Sequence, residues 1–392
     1  MKRINSTIFV SIALSTLAIS IILPILAPLI RELRLSVSEG GWMISIGSMA
    51  TAVTAAAWGT ASDRFGRKLV MVAGFAGLSA SFLLYTATIW SGLATTLSGS
   101  TLFLLLAATR GLVGGFQPAV PAGAQALMAD NTGDHERTSG MAIIGAATGV
   151  GLVVGPALGG LLAFYGLIWP LVFATVMCLA AVFVVILAVP KTPATARVKA
   201  AAVNPLAPAL LPWLLAAALT MFSIVTIQIS GGFYFQEMLG LNTAETGPKL
   251  AVALTLVGVA LFVTQILQVK LLQWPARRMI LVGTLFWVAG LAVLLLTATM
   301  ASYLLSYALL GVGAGLLVPG YMAGASLAVP SDRQGAVAGL AAAAQGIGFI
   351  LGPVASTMLY EINRSLPLWG LLGLMALLFA LFAAPRAALS QP

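Results

Sequence analysis

The chain has 392 residues, of which 60% are hydrophobic and only 7% are charged, and its formal net charge is +9. Because soluble domains carry about a quarter charged residues, this composition excludes a soluble protein and predicts an integral membrane protein. The single cysteine, Cys178, and the single histidine, His135, exclude a disulfide framework and a cysteine- or histidine-based metal cluster, so we expect no metal and no cofactor.

Twelve mostly apolar segments have the length of a membrane-spanning helix, which is about 20 residues. They lie near residues 7–30, 41–62, 69–90, 99–127, 140–164, 167–189, 210–235, 249–270, 279–299, 301–328, 335–359 and 366–384. In the first segment, Pro24 and Pro28 are followed at once by the charged RELR, so we predict a spanning helix there rather than a cleaved signal peptide. The sequence therefore predicts an all-α membrane protein.

The longest polar connection, PKTPATARVKAAAVNP at 190–205, separates the sixth and seventh segments. We predict an N-terminal six-helix bundle at 1–189, a cytoplasmic linker at 190–209 and a C-terminal six-helix bundle at 210–392.

With the N-terminus inside, the inner segments hold fourteen Lys and Arg residues and the outer segments four. This asymmetry predicts a multi-pass protein of the cytoplasmic, or bacterial inner, membrane with both termini in the cytoplasm. The basic residues are dispersed between apolar segments, so we expect the lipid bilayer and no nucleic acid as a partner.

Two pairs of segments repeat along the chain. GVGLVVGP at 149–156 and GIGFILGP at 346–353 share the pattern G-x-G-x-x-x-G-P at an offset of 197. GLVGGFQPAVPAGA at 111–124 matches VGAGLLVPGYMAGA at 312–325 at an offset of 201. Glycine and alanine are abundant, so chance is the alternative, but two matches in corresponding helices favour two repeated six-helix halves, a known construction of transporters.

Arg110 lies in the middle of the fourth apolar segment, and the repeat aligns it with Gly311. A structural interpretation is an arginine that only ties helices together. The functional interpretation is favoured because charged residues inside spans usually line pathways or bind ions.

The connection between the second and third segments, GTASDRFGRKLV at 59–70, resembles the signature loop of the major facilitator superfamily, G-x-x-x-D-R-x-G-R-K. The resemblance extends to the twelve spans, the linker and the repeat, and it implies the major facilitator fold. In the family this loop latches the inner ends of the two halves. The latch role is thereby implied for Gly59, Asp63, Arg64, Gly66 and Arg67.

The fifth span contains GVGLVVGPALGG, in which glycines recur every fourth residue. Small residues at this spacing let two helices approach closely, and plain packing is one interpretation. The segment also resembles the motif of the proton-coupled antiporter branch of the superfamily, which is associated with drug export. The matching residues are Gly151, Gly155, Pro156, Gly159 and Gly160.

In the family, the first, fourth, seventh and tenth spans line the central cavity. The resemblance therefore implies a substrate cavity whose candidate residues are Arg110, Gln117, Gln228, Ser15, Tyr321, Phe116 and Gln345. RGLVGG resembles the family motif R-x-x-Q-G, whose arginine is implicated in proton coupling, although Val113 replaces the glutamine. No acidic residue lies in the centre of a span, so Glu39, Glu237 and Arg110 are the proton-coupling candidates.

These features predict a proton-coupled exporter, an antiporter of drugs or small amphiphilic or anionic metabolites that works by alternating access as a monomer. One alternative is a facilitator or importer of a small organic solute. Another is an exporter of siderophores or acidic metabolites that uses Arg110 to bind the substrate. A membrane enzyme is disfavoured because few reactive groups are available.

Overall fold

A computed structural model describes residues 2–131, 137–190, 203–330 and 333–384, and every regular element in these ranges is helical. The first helices are α1 (Lys2–Ser20), α2 (Leu26–Glu32), α3 (Val37–Phe65), α4 (Arg67–Leu93), α5 (Gly99–Phe116), α6 (Ala119–Asn131), α7 (Arg137–Ala163) and α8 (Trp169–Ala188). They are followed by α9 (Leu211–Met238), α10 (Thr243–Leu267), α11 (Ala276–Leu296), α12 (Met300–Leu327), α13 (Gln334–Ile362) and α14 (Leu366–Ala383). A 3₁₀ turn at Leu23–Ile25 precedes α2, and a π-helical turn at Gln268–Leu272 follows α10. The all-α prediction is confirmed.

Eleven helical segments among the described residues are long and apolar enough to cross a membrane. The helix of the second predicted span, α3, has 29 residues but does not meet this measure, since glycine, alanine, serine and threonine make up most of it. Such small residues lower the hydropathy of a helix without shortening it. α3 therefore has the length of a span, and its small side chains suit close packing against other helices.

Two spans are each built from two helices because a proline interrupts them. Pro24 lies in the turn between α1 and α2, and Pro118 lies between α5 and α6. Proline has no backbone N–H, so Pro118 cannot donate to the carbonyl of Gly114, four residues earlier. The hydroxyl of Thr51 on α3 donates to that carbonyl at 2.9 Å, and Nε1 of Trp58 donates to the next carbonyl at 2.6 Å. Side chains of α3 thus satisfy the backbone groups that the break exposes.

The helices form two compact units. Among the described residues, the first unit contains α1–α8 and the segment Leu241–Thr255, and the second contains α9 and the chain from Leu256 onward. In the first unit α1 packs on α7, α3 on α5 and α4 on α8. In the second unit α9 packs on α13 and α11 packs on α12 and α14. The predicted linker at 190–209 lies partly outside the described residues, and the domain boundaries drawn there remain a prediction.

Repeated glycines serve the same kind of contact in each unit. A β-carbon built on Gly151 would lie 2.8 Å from the carbonyl oxygen of Ala13 on α1. A β-carbon built on Gly348, its equivalent in the repeat, would lie 2.6 Å from the carbonyl oxygen of Ala218 on α9. Both distances are shorter than a van der Waals contact, so only glycine permits these helix pairs to approach so closely.

The close contact between α3 and α5 predicts that stability depends on glycine at position 114. A β-carbon there would collide with the backbone of Gly47 on α3, so Gly114→Ala should force the helices apart and cost about 1–3 kcal/mol of stability. The matched control is Gly115→Ala, where the nearest atom to the new β-carbon, on Thr54, is 4.0 Å away. Thermal unfolding of the purified protein should show a lowered Tm for Gly114→Ala alone. Equal unfolding temperatures for the two variants would contradict this account of the contact.

Candidate functional site: an arginine within a span and its helices

Arg110 lies on α5 against a glycine of α3. A β-carbon built on Gly47 would lie 3.3 Å from Cγ and 3.4 Å from Nε of Arg110, so the missing side chain makes room for the arginine. On α4, Tyr85 is 1% exposed. Within the described residues, Nε and Nη1 of Arg110 are buried and have no hydrogen-bond partner. Burying charged donors without a hydrogen-bond partner costs free energy. This position therefore favours a partner that binds reversibly.

The second unit has no room for such a side chain at the equivalent position. A β-carbon built on Gly311 of α12 would lie 2.6 Å from the carbonyl oxygen of Val257 and 2.8 Å from the β-carbon of Ala260 on α10. In the first unit the glycine of this contact is Gly47 on α3, whereas in the second unit it is Gly311 on α12. This difference gives a physical reason for the charge asymmetry that the repeat shows in the sequence.

Two other cavity candidates of the first unit, Phe116 and Gln117, lie about two helical turns from Arg110. Oε1 of Gln117 is 3.4 Å from the hydroxyl of Thr51, which also donates to the Gly47 carbonyl at 3.0 Å. Phe116 packs against Gly77 of α4 and its ring lies 5.7 Å from that of Trp58. Its contacts therefore fill the space between α3 and α4. Ser15 is buried on α1, with 5% exposure.

The cavity candidates of the second unit lie on three helices. Tyr321 on α12 is fully buried, and its hydroxyl has no hydrogen-bond partner among the described residues. Gln228 on α9 and Gln345 on α13 are partly exposed. A row of buried hydroxyls on α9 was not among the predicted cavity residues, and their oxygens also lack partners in the described part of the chain: Thr220, Ser223, Thr226 and Ser230. Their spacing of three to four residues places them on one helix face and is visible in the sequence.

The two acidic proton-coupling candidates occupy helix ends. Glu39 forms a capping box at the start of α3, where its carboxylate accepts the N–H of Ser36 at 2.7 Å and the Ser36 hydroxyl accepts the N–H of Glu39. This arrangement satisfies two free donors of the helix start. Glu237 is exposed in the last turn of α9. Neither carboxylate stands beside Arg110 in the described contacts, so their coupling role remains a prediction.

Two substitutions separate a capping role of Glu39 from a proton-carrying role. Glu39→Ala should lower stability by about 0.3–1 kcal/mol, because an acid in the first helical turn contributes about that much. Glu39→Gln should keep the stability, since glutamine also completes a capping box but cannot ionise. Unfolding midpoints measure the contribution of the capping box to stability. Loss of gradient-driven transport in the stable Glu39→Gln protein would show that the carboxylate also carries the proton.

The predicted latch loop is built around Arg67, which is 3% exposed at the start of α4. Its guanidinium lies 3.3 Å from Asp63 on α3 and donates to Asp130 near the end of α6 at 2.7 Å and to the carbonyl of Ser62 at 2.8 Å. Gly66, which joins the helices, has φ 93°, a conformation that favours glycine. Arg67 thus ties the ends of three helices together. Asp130 was missed because it lies 63 residues from Arg67 in the sequence.

Two latch residues are less enclosed. Arg64 is exposed and its guanidinium carbon lies 5.2 Å from the ring centroid of Phe65. A β-carbon built on Gly59 would meet no heavy atom of the described residues within 4 Å. The packing inside the first unit therefore does not require glycine at position 59.

The glycine–proline motif of α7 lies along α1. A β-carbon on Gly155 would collide with the hydroxyl of Ser20, and one on Gly159 with the carbonyl of Ile21. The Ser20 hydroxyl also donates to the carbonyl of Gly151 at 2.8 Å. α7 continues through Pro156 without a break. On another side, Gly160 meets Ala251 of the first unit's segment Leu241–Thr255. The motif thus serves helix packing, and its link to antiport remains a prediction.

No group of three or more His, Cys, Asp and Glu side chains that could hold a metal ion occurs within residues 2–131, 137–190, 203–330 and 333–384. The candidate sites of the described chain therefore offer the guanidinium groups of Arg67 and Arg110, hydroxyl and amide groups, and carboxylates at helix ends.

Comparisons with known proteins place these features in a family. The chain is 28% identical over 366 residues to the class G tetracycline resistance protein of Vibrio anguillarum, covering 89% of this chain and 88% of that protein. It is 24% identical over 381 residues to the quinolone resistance protein NorA of Staphylococcus aureus (strain COL), covering 94% of each.

A bacterial homologue of the iron transporter ferroportin, solved in an inward-facing state, has the same fold, with a TM-score of 0.75 at 14% identity over 98% of both chains. The family model described as "Major Facilitator Superfamily" matches residues 8–353 and 252–390. The chain belongs to the major facilitator superfamily.

Proposed function

We propose that this chain is a proton-coupled exporter, an antiporter that moves drugs or small amphiphilic or anionic metabolites out of the cell by alternating access. Family membership makes it a transporter of small molecules in the lipid bilayer rather than an enzyme. Relatives named for tetracycline and quinolone resistance support the substrate class and the direction. The charge asymmetry of the connections supports a bacterial inner membrane with both termini in the cytoplasm. We propose a monomer.

The observation that carries the proposal is Arg110, whose Nε and Nη1 atoms are buried inside a span without a hydrogen-bond partner among the described residues. A secondary antiporter must bind substrate and proton in different states, so it needs a charged group whose surroundings change during the cycle. Arg110 supplies a fixed positive charge inside a span, with two donors that the described part of the chain leaves unused. Glu39 and Glu237 are the proposed proton carriers at the helix ends, with Arg110 setting the field in which substrate binds.

The same observation supports a second candidate function, an exporter of siderophores or acidic metabolites in which Arg110 binds the substrate directly. A guanidinium group suits carboxylate and phosphate recognition, and lysine does not replace it well. Arg110→Lys should then weaken the transport of anionic compounds more than that of cationic ones. Equal loss for both would favour the general exporter.

Cells expressing the protein test the direction of transport. We expect them to accumulate less of at least one compound in a panel of tetracyclines, quinolones, lipophilic cations and organic acids. Cells with Arg110→Met should accumulate as much as cells without the protein, whereas Arg364→Gln, which removes an exposed cation, should export normally. Raised accumulation would indicate an importer, and equilibration without a gradient would indicate a facilitator.

A further inference from the structure

The second unit contains an apolar groove between α10, α11 and α12. Its volume is 440 Å³, and apart from Thr264 its lining is apolar, with Val259 and Val263 of α10, Phe286 of α11 and Leu316 of α12 among the residues. The volume falls within the range of roughly 300–1,000 Å³ that is typical of ligand pockets. Val259 and Val263 are 43% and 47% exposed. The groove is therefore open at its side and offers carbon surface to an apolar chain.

One end of the groove is formed by an irregular backbone segment. The π-helical turn at Gln268–Leu272 ends at Gln273, which has φ 44°, and the Gln268 amide donates to the carbonyl of Trp274 at 3.0 Å. Leu272 and Trp274 both line the groove. π-Helical turns are rare and frequently occur at functional sites. Here the turn brings an aromatic side chain and its basic neighbours to the end of the groove.

Two exposed cations belong to this segment or contact it. The guanidinium carbon of Arg278 lies 4.4 Å from the ring centroid of Trp274, and Lys270 belongs to the π-helical turn. Neither forms an ion pair among the described residues, and the sequence contains no acid between Glu245 and Asp332. By contrast, Arg277 donates to carbonyls at the end of α14, including that of Phe382 at 2.7 Å. Arg277 is thus used to cap a helix, while Lys270 and Arg278 keep their charges available.

We propose that this groove is a binding site for an anionic glycerophospholipid, with an acyl chain in the groove and the head-group phosphate at Arg278 and Lys270. Lipid tails are as apolar as the groove, so the groove alone cannot select one lipid from the bilayer. Selection requires the two cations, and basic residues beside spanning helices attract anionic lipids. The contact with the Trp274 ring holds the guanidinium group of Arg278 close to a residue that lines the groove, and tryptophan is enriched at membrane interfaces. The proposal rests on family membership and not on the direction of transport.

Native mass spectrometry of the full chain, reconstituted in equal parts of phosphatidylglycerol and phosphatidylcholine, tests the selection. The wild type should retain phosphatidylglycerol in preference. Removing both cations with Lys270→Gln and Arg278→Gln should reduce that preference about 25-fold, or about fivefold per basic residue. The control pair, Arg34→Gln and Arg364→Gln, removes the same charge from two other exposed positions and should change nothing. Equal loss in both pairs, or no preference in the wild type, would overturn the proposal.

A second variant tests the acyl chain. Val263→Trp should fill the groove and release the retained phospholipid, while the exposed position of Val263 should let the protein fold, as gel filtration would show. Soluble glycerol phosphate should fail to displace phosphatidylglycerol from the wild type. Displacement by glycerol phosphate, or full lipid retention by Val263→Trp, would overturn the assignment of the groove to a lipid tail.

Discussion

Replacing Arg110 with methionine is expected to reduce transport by roughly 10- to 100-fold while leaving the protein at least as stable as the wild type. The transport loss follows because a hydrogen bond to a charged group contributes about 1.5–3 kcal/mol, and Arg110 holds two buried donors that no described residue satisfies. The stability gain follows because the two buried guanidinium nitrogens, which have no partner among the described residues, cost free energy that an apolar side chain of similar length does not. Initial rates of substrate flux and unfolding midpoints measure the two effects separately.

This pair of readouts distinguishes the functional from the structural interpretation of Arg110. If the arginine only tied α5 to its neighbours, Arg110→Met would lower the unfolding midpoint and the remaining folded protein would transport normally. Arg364→Gln, at an exposed position, is the control for general loss of charge and should alter neither readout. A destabilised but fully active Arg110→Met protein would contradict the proposed role.

The second large effect is expected at Arg67. Arg67→Met leaves two carboxylates, Asp63 and Asp130, without their shared cation, and we expect a loss of about 2–3 kcal/mol in stability. Breaking a buried pair costs about 3–5 kcal/mol, and the partial exposure of the carboxylates, 26% and 32%, reduces this value. Chemical unfolding of the purified protein measures the change.

The neighbouring Arg64 provides the matched control for Arg67. It is exposed, and replacing an exposed arginine away from a network changes stability by less than about 0.5 kcal/mol. Arg64→Met should therefore unfold like the wild type, and Asp130→Asn should reproduce part of the Arg67 effect. If Arg64→Met were as unstable as Arg67→Met, the ion-pair account would be wrong.

The fold could be predicted largely from composition and spacing. Long apolar segments, the loop motif at residues 59–70 and the repeated glycines each express a local constraint, so they are visible without coordinates. The second predicted span, α3, has the weakest signal, since it is rich in small residues rather than strongly apolar. Its small residues are explained only by its contact with α5, which a linear sequence does not display.

The surroundings of the predicted site residues were harder to foresee because they depend on distant parts of the chain. The charge of Arg110 is visible in the sequence, but its contact with Gly47 of α3 follows only from the packing of the helices. Asp130 was overlooked as a partner of Arg67 for the same reason. The capping box of Glu39 was foreseeable, since Ser36 and Glu39 have the spacing S-x-x-E before a helical segment.

The most direct test of the central proposal is substrate uptake into liposomes that contain the purified protein and have an imposed pH gradient. An antiporter should concentrate substrate inside liposomes with an acidic interior, because protons leaving the lumen drive the substrate inward. Reversing the gradient should reverse the flux, and Arg110→Met should reduce it roughly 10- to 100-fold. Flux that ignores the gradient, or substrate that moves in the same direction as the protons, would contradict proton-coupled export.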